Sequence, residues 1–454
     1  MRRAKKLVGA AMAAMLLTGV TACSGEAKDE GVIDVWIGFT DYRLDWAKER
    51  AAEFVKKHPD YKINVEGYDT YETLFDALTA ATQQGKPPTI VQNFEAATQE
   101  SRDAVNADGD PLFVSVEKAI DGRDEILGEP VVLDDIVEAA SSYYTVDGEF
   151  SSMPWNTSTP IFYSNSEFLE AADIEPPQTW EELTEACDAI MKLKDAPKSC
   201  ISWPNHAWFP EQVLAEQGGL LANADNGRSD RATEVDMTSP EWLSWIDWWK
   251  ELNDKGHYYY SGVQEDWDGP KNAFGGQQVA FLMTSSGDAT AVVGDAEKTG
   301  FDVEVSMLPR FADKDYHGNL IGGATLWLVD GLETKTQDGA LAFMQFLNNP
   351  ENAADWHKTT GYIPITNAAV ELLEKEGWYD ERPYHKVATD QLAQTDGSPA
   401  ATGVLLGSFV AIRAEVTQAI EEILTDGADP ADRFAKAQEN AQKLLDDYNA
   451  LYVG

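Results

Sequence analysis

Residues 32–98, "VIDVWIGFTDYRLDWAKERAAEFVKKHPDYKINVEGYDTYETLFDALTAATQQGKPPTIVQNFEAAT", switch repeatedly between two hydrophobic periods. "VIDVWIGF" is a short β-rich run, after which Leu44, Ala47, Ala51, Phe54 and Val55 recur at helical spacing until "HPD" stops them. "YKINVEGY" supplies a second strand, Thr70 to Gln84 a second helix with Leu74, Leu78 and Ala81 on one stripe, and "TIVQNF" a third strand. Strands joined through helices must pair in parallel by crossovers. Ligands of such sheets collect at the carboxyl ends of strands, which here are Gly67 to Tyr71 and Asn93 to Ala97.

Alternation resumes near "SSMPWNTSTPIFYSN". Thr179 and Glu182 form a capping box ahead of Leu183, Ala186 and Ile190, and Ser239 with Pro240 opens "SPEWLSWIDWWKELNDKG". In that second helix Trp242, Trp245, Ile246 and Trp249 share a face, so core packing explains them better than a carbohydrate platform does. Only Trp248 lies off the stripe and is expected to be exposed. "QQVAFLMTSSG" and "GGATLWLVDG" read as later strands.

Composition sets the compartment and excludes some partners. Arg2, Arg3, Lys5 and Lys6 precede an apolar run from Leu7 to Leu17, the pattern of an export signal and too short for a comfortable bilayer span. The run ends in "VTAC", which resembles a bacterial lipobox and implies a signal peptide over 1–22 and lipid on Cys23. The polar segment 23–30 then reads as a tether to the outer face of the membrane. With 35 basic and 78 acidic residues the formal charge is -43, which argues against nucleic acid as a partner. About 425 further residues exceed one core's usual size and predict two lobes. In an oxidising compartment Cys187 and Cys200 are expected to be bridged, although Cys187 also suits a small core position. No Cys or His pair has zinc-like spacing, so no metal and no cofactor is expected.

Five segments, "PPTIVQNFEAAT", "WNTSTPIFYSN", "MTSSG", "GGATLW" and "NNPENAADWHKTTGYIPITNAA", occur in the order and spacing of the extracellular solute-binding proteins of ABC importers, the group that includes the maltose-binding proteins. Within it the chain most resembles the Ugp-type binders of glycerol-3-phosphate and glycerophosphodiesters. The resemblance implies a two-lobed α/β fold of the periplasmic-binding-protein type, each lobe a mainly parallel sheet flanked by helices, with the ligand cleft between. Lobe one would comprise residues 31–145 and 322–365, and lobe two residues 146–321 and 366–454. "TTGYIPIT" would be a crossover between them, with Gly361 allowing the turn, Pro364 stiffening the exit and Tyr362 facing the cleft.

Carried over residue by residue, the likeness implies ligand contacts from Tyr71, Glu95, Ser158, Trp208, Ser285, Gly323, Tyr362 and Arg413. A phosphate needs donors, which the hydroxyls, the Gly323 N–H and above all the Arg413 guanidinium can supply. Glu95 would repel phosphate and is expected at the opposite pole, accepting from glycerol hydroxyls. Arg413→Ala is accordingly expected to remove most phosphate-ligand affinity and leave the melting temperature of the empty protein nearly unchanged. The family's aromatic pair beyond Cys200 is incomplete: Trp208 is present, Asn205 or His206 stands where its partner belongs, and Trp203 could substitute only after rearrangement.

The implied function is capture of glycerol-3-phosphate or a glycerophosphodiester such as glycerophosphocholine by a monomer that closes its lobes and delivers the solute to an ABC permease. A neutral sugar or oligosaccharide is the alternative, which fourteen tryptophans favour. An extracellular glycosidase with two carboxylates is a third. No G-x-S-x-G, H-E-x-x-H or P-loop pattern occurs, and binding without chemistry is expected.

Overall fold

The computed structural model describes residues 30–452, so the export signal and Cys23 lie outside the described residues. Two sheets organise the rest. Their strands, in chain order, are β1 (Val32–Ile37), β2 (Lys62–Gly67), β3 (Ile90–Phe94), β4 (Phe113–Val114), β5 (Met153–Ser158), β6 (Pro160–Asn165), β7 (Ser199–Ser202), β8 (Val279–Ser285), β9 (Val303–Ser306) and β10 (Gly322–Val329). The first sheet has six strands in the order β2-β1-β3-β10-β4, with β5 also paired to β10; the second has four, in the order β7-β8-β6-β9.

The opening stretch folds as its periodicity predicts. β1 pairs in parallel with β2 and β3, joined through the helices Tyr42–Lys57 and Tyr71–Gln83. Thr70 caps the second helix in a reciprocal box with Thr73. Ile33, Val35 and Ile37 of β1 meet Phe54 and the helix Thr334–Leu347, each large buried side chain contributing about 1.5–3 kcal/mol. Among the described strands of the two sheets, parallel pairing is confined to β1–β3 and to β7 with β8. β10 runs antiparallel to β3, β4 and β5, and β6 runs antiparallel to β8 and β9, so the expected mainly parallel sheets are mixed. β5 belongs to the first sheet, although the division at residue 145 put it in lobe two. The chain leaves that sheet at Ser158, and β6 starts in the other at Pro160.

Three crossovers therefore meet at one seam. Thr159 Oγ1 donates to Leu320 O and accepts from Gln391 Nε2, and Ile363 N–H donates to Thr157 O. Gly361 ends the helix Pro350–Thr360 at φ +105, and a Cβ there would lie 2.4 Å from Ser286 O, so the turn before Tyr362 needs glycine.

In the second lobe Thr179 and Glu182 form the capping box, and Trp242, Trp245, Ile246 and Trp249 are buried. Trp248 is half-buried rather than exposed, stacked at 6.0 Å on Trp203 and donating through Nε1 to Thr184. Cys187 and Cys200 form a disulfide with a Cα–Cα distance of 5.3 Å, tying the helix Trp180–Ile190 to β7. Closing a loop of that length contributes about 3 kcal/mol.

Candidate functional site

A cleft of about 1020 Å³, including its open mouth, lies at the seam. Its first wall comes from the segments after β1, β2 and β3, which contribute Phe39 to Asp41 and Arg43, Asp69 to Glu72, and Phe94 with Glu95. These are carboxyl ends of parallel strands, where backbone groups emerge unpaired. Ser158, Gly322, Gly323 and Tyr362 form the seam, and His206, Trp208, Trp267, Lys271, Ser285, Asp288 and Arg413 belong to the facing lobe. All eight residues carried over from the family likeness line this one cavity.

A buried relay runs from the end of β1 to the Tyr71 hydroxyl. Gly38 N–H donates to Gln92 Oε1, Gln92 Nε2 donates to Asn156 Oδ1, and Asn156 Nδ2 donates to the Tyr71 hydroxyl. The Tyr71 hydroxyl therefore accepts within the relay and keeps its own proton for another partner. Tyr362 lines the same cavity, where its hydroxyl can donate. Burial raises both tyrosines above the usual phenol range, so they stay neutral donors at physiological pH. Gly323 sits at φ +99 beside the register irregularity of β10, and a Cβ there would lie 1.9 Å from Asn156 O. Only glycine lets the backbone reach the cavity at that point.

Arg413 corrects one expectation. It is 6% exposed, and it donates from Nη1 to Glu95 at 2.7 Å and from Nε and Nη2 to Glu211 at 2.8 and 2.6 Å. Glu95 is therefore at the same pole as the guanidinium and not at the opposite one. The physical reason is desolvation: a charge this deep needs counter-charges, and two carboxylates supply them. They hold Arg413 protonated against burial. Burial raises Glu95 above the usual carboxylate range despite Arg413. Three of the five guanidinium N–H groups are used, and two remain for a ligand. Replacing Arg413 by alanine would strand two buried carboxylates, so the expectation of an unchanged melting temperature does not stand.

The aromatic pair is also built differently. Trp203 is buried among Trp245, Trp249 and Tyr258, away from the cleft, and Asn205 turns inward to donate to Thr417 O. Trp267, just before the helix Asp268–Gly275, supplies the second ring, 6.2 Å from Trp208 and inclined at 54°. Its only sequence signal is a tryptophan inside the turn-forming run "EDWDGP", which says nothing about the direction it faces.

The other cations of the cleft are engaged. Arg43 lies 2.7 Å from Asp41 and 4.0 Å from Asp288, and Lys271 lies 3.3 Å from Asp288 and 3.2 Å from Asp268. Arg43–Asp288 spans the two lobes, as does the 3.8 Å approach of His206 Nε2 to Glu72. Among the described residues one group of possible metal-binding side chains occurs, Glu72, His206 and Glu265, whose ligand atoms lie within 4.8 Å of one another.

A family model described as bacterial extracellular solute-binding protein matches residues 49–385. The sn-glycerol-3-phosphate-binding periplasmic protein UgpB of Pectobacterium atrosepticum is 32% identical over 408 residues, 87% of this chain and 87% of that one. The UgpB of Yersinia enterocolitica is 33% identical, covering 87% of this chain and 88% of that one. Among solved structures, UgpB from Mycobacterium tuberculosis in complex with glycerophosphocholine superposes with a TM-score of 0.75 at 22% identity, over 92% of this chain and 99% of that one. The GacH receptor of Streptomyces glaucescens, solved unliganded and with acarbose, gives 0.74 at 16% identity, over 93% and 100%. At those identities the structures speak for the fold alone.

Proposed function

The chain belongs to the bacterial extracellular solute-binding protein family and serves as the solute-binding component of an ABC importer, not as an enzyme, and on that premise we propose that its solute is a glycerophosphodiester such as glycerophosphocholine. Glycerol-3-phosphate, the solute named for the relatives, ranks second. The observation that carries this reading is Arg413 held between Glu95 and Glu211 with two N–H groups left over. The guanidinium can give two charge-assisted bonds to a phosphate, joined by the Tyr362 and Ser285 hydroxyls and the Gly323 N–H. Yet Arg413 and its two carboxylates together carry one negative charge in excess. A phosphomonoester would add a dianion to that site and a phosphodiester only a monoanion, so the diester meets the smaller repulsion.

Closure of the lobes about the seam would exclude water and strengthen these bonds, with Arg43–Asp288 and His206–Glu72 as contacts across the mouth. The lobes proposed are 31–145 and 322–365 against 146–321 and 366–454, with β5 moved to the first. We further propose a monomer tethered to the outer face of the membrane by lipid on Cys23, to be checked by mass spectrometry of the mature N-terminus.

A neutral sugar is the alternative to a phosphate ligand, favoured by a cavity in which carboxylates and aromatic rings outnumber free cations. A thermal-shift panel separates the two. Ligand at 100 times its Kd stabilises by about 2.7 kcal/mol. Stabilisation by glycerophosphocholine, weaker stabilisation by glycerol-3-phosphate and none by maltose or acarbose is expected. Stabilisation by the sugars alone would replace the phosphodiester with the glycan.

A further inference from the structure

We infer that Trp208, Trp267, Glu72 and Glu265 form a subsite for a cationic headgroup, an alkylated or primary ammonium, on the alcohol esterified to the phosphate; the inference rests on the phosphodiester reading above. The two tryptophan rings meet at 54° with centroids 6.2 Å apart, making a corner and not a sandwich. An ammonium seated in such a corner is attracted by both π faces, the arrangement aromatic cages use for quaternary ammonium groups.

The acids beside the corner need such a charge. Glu72 comes from the first lobe and Glu265 from the second, and both approach His206. Trp208 N–H donates to His206 Nδ1 at 3.1 Å, so the neutral ring carries its proton on Nε2, the atom that faces Glu72. With its proton on Nε2, the ring turns a donor toward Glu72 at 3.8 Å, beyond direct hydrogen-bond reach, and offers a metal ion no lone pair there. Even a charged imidazole would balance only one of the two acids. Arg43, Lys271 and Arg413, the other cations lining the cavity, are engaged by Asp41, Asp288, Asp268, Glu95 and Glu211.

Glu265 is also held where its backbone resists. Its φ is +54, a left-handed conformation that a non-glycine residue adopts at a cost, and its N–H is fixed to Asn205 O at 3.1 Å. Burial works against both carboxylates: the His206 contacts still bring Glu72 below the usual carboxylate range, so it is ionised and able to face a cation, whereas Glu265 is held above that range and gains most from a cation beside it.

The test is calorimetry on the full soluble chain in a chelator-containing buffer, with glycerophosphocholine and glycerophosphoglycerol, which share the phosphate and differ in headgroup charge. Wild type should prefer the choline ester by about tenfold. Glu265→Gln and Trp267→Leu should each lose most of that preference; Glu265→Gln, which leaves the aromatic lining in place, should keep the affinity for glycerophosphoglycerol, and a thermal melt reports that each variant is folded. Equal affinities in wild type would overturn the headgroup subsite and leave the phosphodiester function standing. Failure of both esters to bind would overturn the function as well. Persistence of the preference in both variants would place the headgroup elsewhere and refute the assignment.

Discussion

Glu211 lies behind Arg413, outside the cavity lining, and its replacement by glutamine probes the charge balance that separates a phosphodiester from a phosphomonoester. A phosphate on the two spare N–H groups lies across the guanidinium, about 7 Å from the Glu211 carboxylate, where at an effective dielectric of about 20 a pair of unit charges interacts by about 2.4 kcal/mol. Removing the carboxylate relieves that repulsion once for a monoanion and twice for a dianion. Glycerol-3-phosphate should therefore gain relative to glycerophosphocholine by about 2 kcal/mol, some tenfold to fiftyfold in the ratio of Kd values. The assay is isothermal titration of both ligands at pH 7.5 and fixed ionic strength, with thermal melts confirming the fold. Glutamine keeps an acceptor for Arg413 Nε, so the arginine retains its place. An unchanged ratio, or a selective loss for glycerol-3-phosphate, would refute the argument that excess carboxylate at this pole selects the diester.

Arg413→Ala should abolish binding of phosphate ligands and, by leaving Glu95 and Glu211 unpaired, destabilise the empty protein by about 3–5 kcal/mol in urea unfolding; an unaltered unfolding midpoint would mean that the pair adds nothing. Gly323→Ala forces a side chain into φ +99 and against Asn156 O, and it should cost at least about 2 kcal/mol together with ligand affinity, read by melting and titration. His357 is pushed down to about 4 by burial, while its unfolded reference is 6.5. Below pH 6.5 the unfolded chain takes up the proton first, so this stability is present above 6.5 and is lost as pH falls to about 4, at about 1.4 kcal/mol per unit. His357→Asn, which can still donate to Tyr362 O, should flatten urea-measured stability across that window, leaving the similarly depressed His385 to account for the remainder.

Local pattern made the elements legible. The alternation in residues 32–98, the capping box at Thr179 and the tryptophan stripe of Pro240–Asp254 depend on neighbours along the chain, and each folds as read. Pairing direction was less legible, because β10 enters the first sheet after a long excursion through the second, and no local feature dictates that it run antiparallel. The site divides in the same way. Residues on motifs with a family likeness converge on one cavity, whereas the partners of Arg413 do not follow from spacing, since Glu95 and Arg413 are 318 residues apart. Glu211 follows "WFP" in a helix that carries no base, so nothing along the chain hints at its counter-ion. Trp267 replaces an aromatic expected some sixty positions earlier, a substitution in space that only the packing of two distant loops can make.

The most direct measurement is a structure of the chain with glycerophosphocholine. The phosphate is expected on the spare Arg413 N–H groups and the Tyr362 hydroxyl, with the trimethylammonium in the corner of Trp208 and Trp267. A phosphate against Lys271 and Arg43, or an uncharged glycan filling the cleft while the phosphodiester fails to bind, would contradict it.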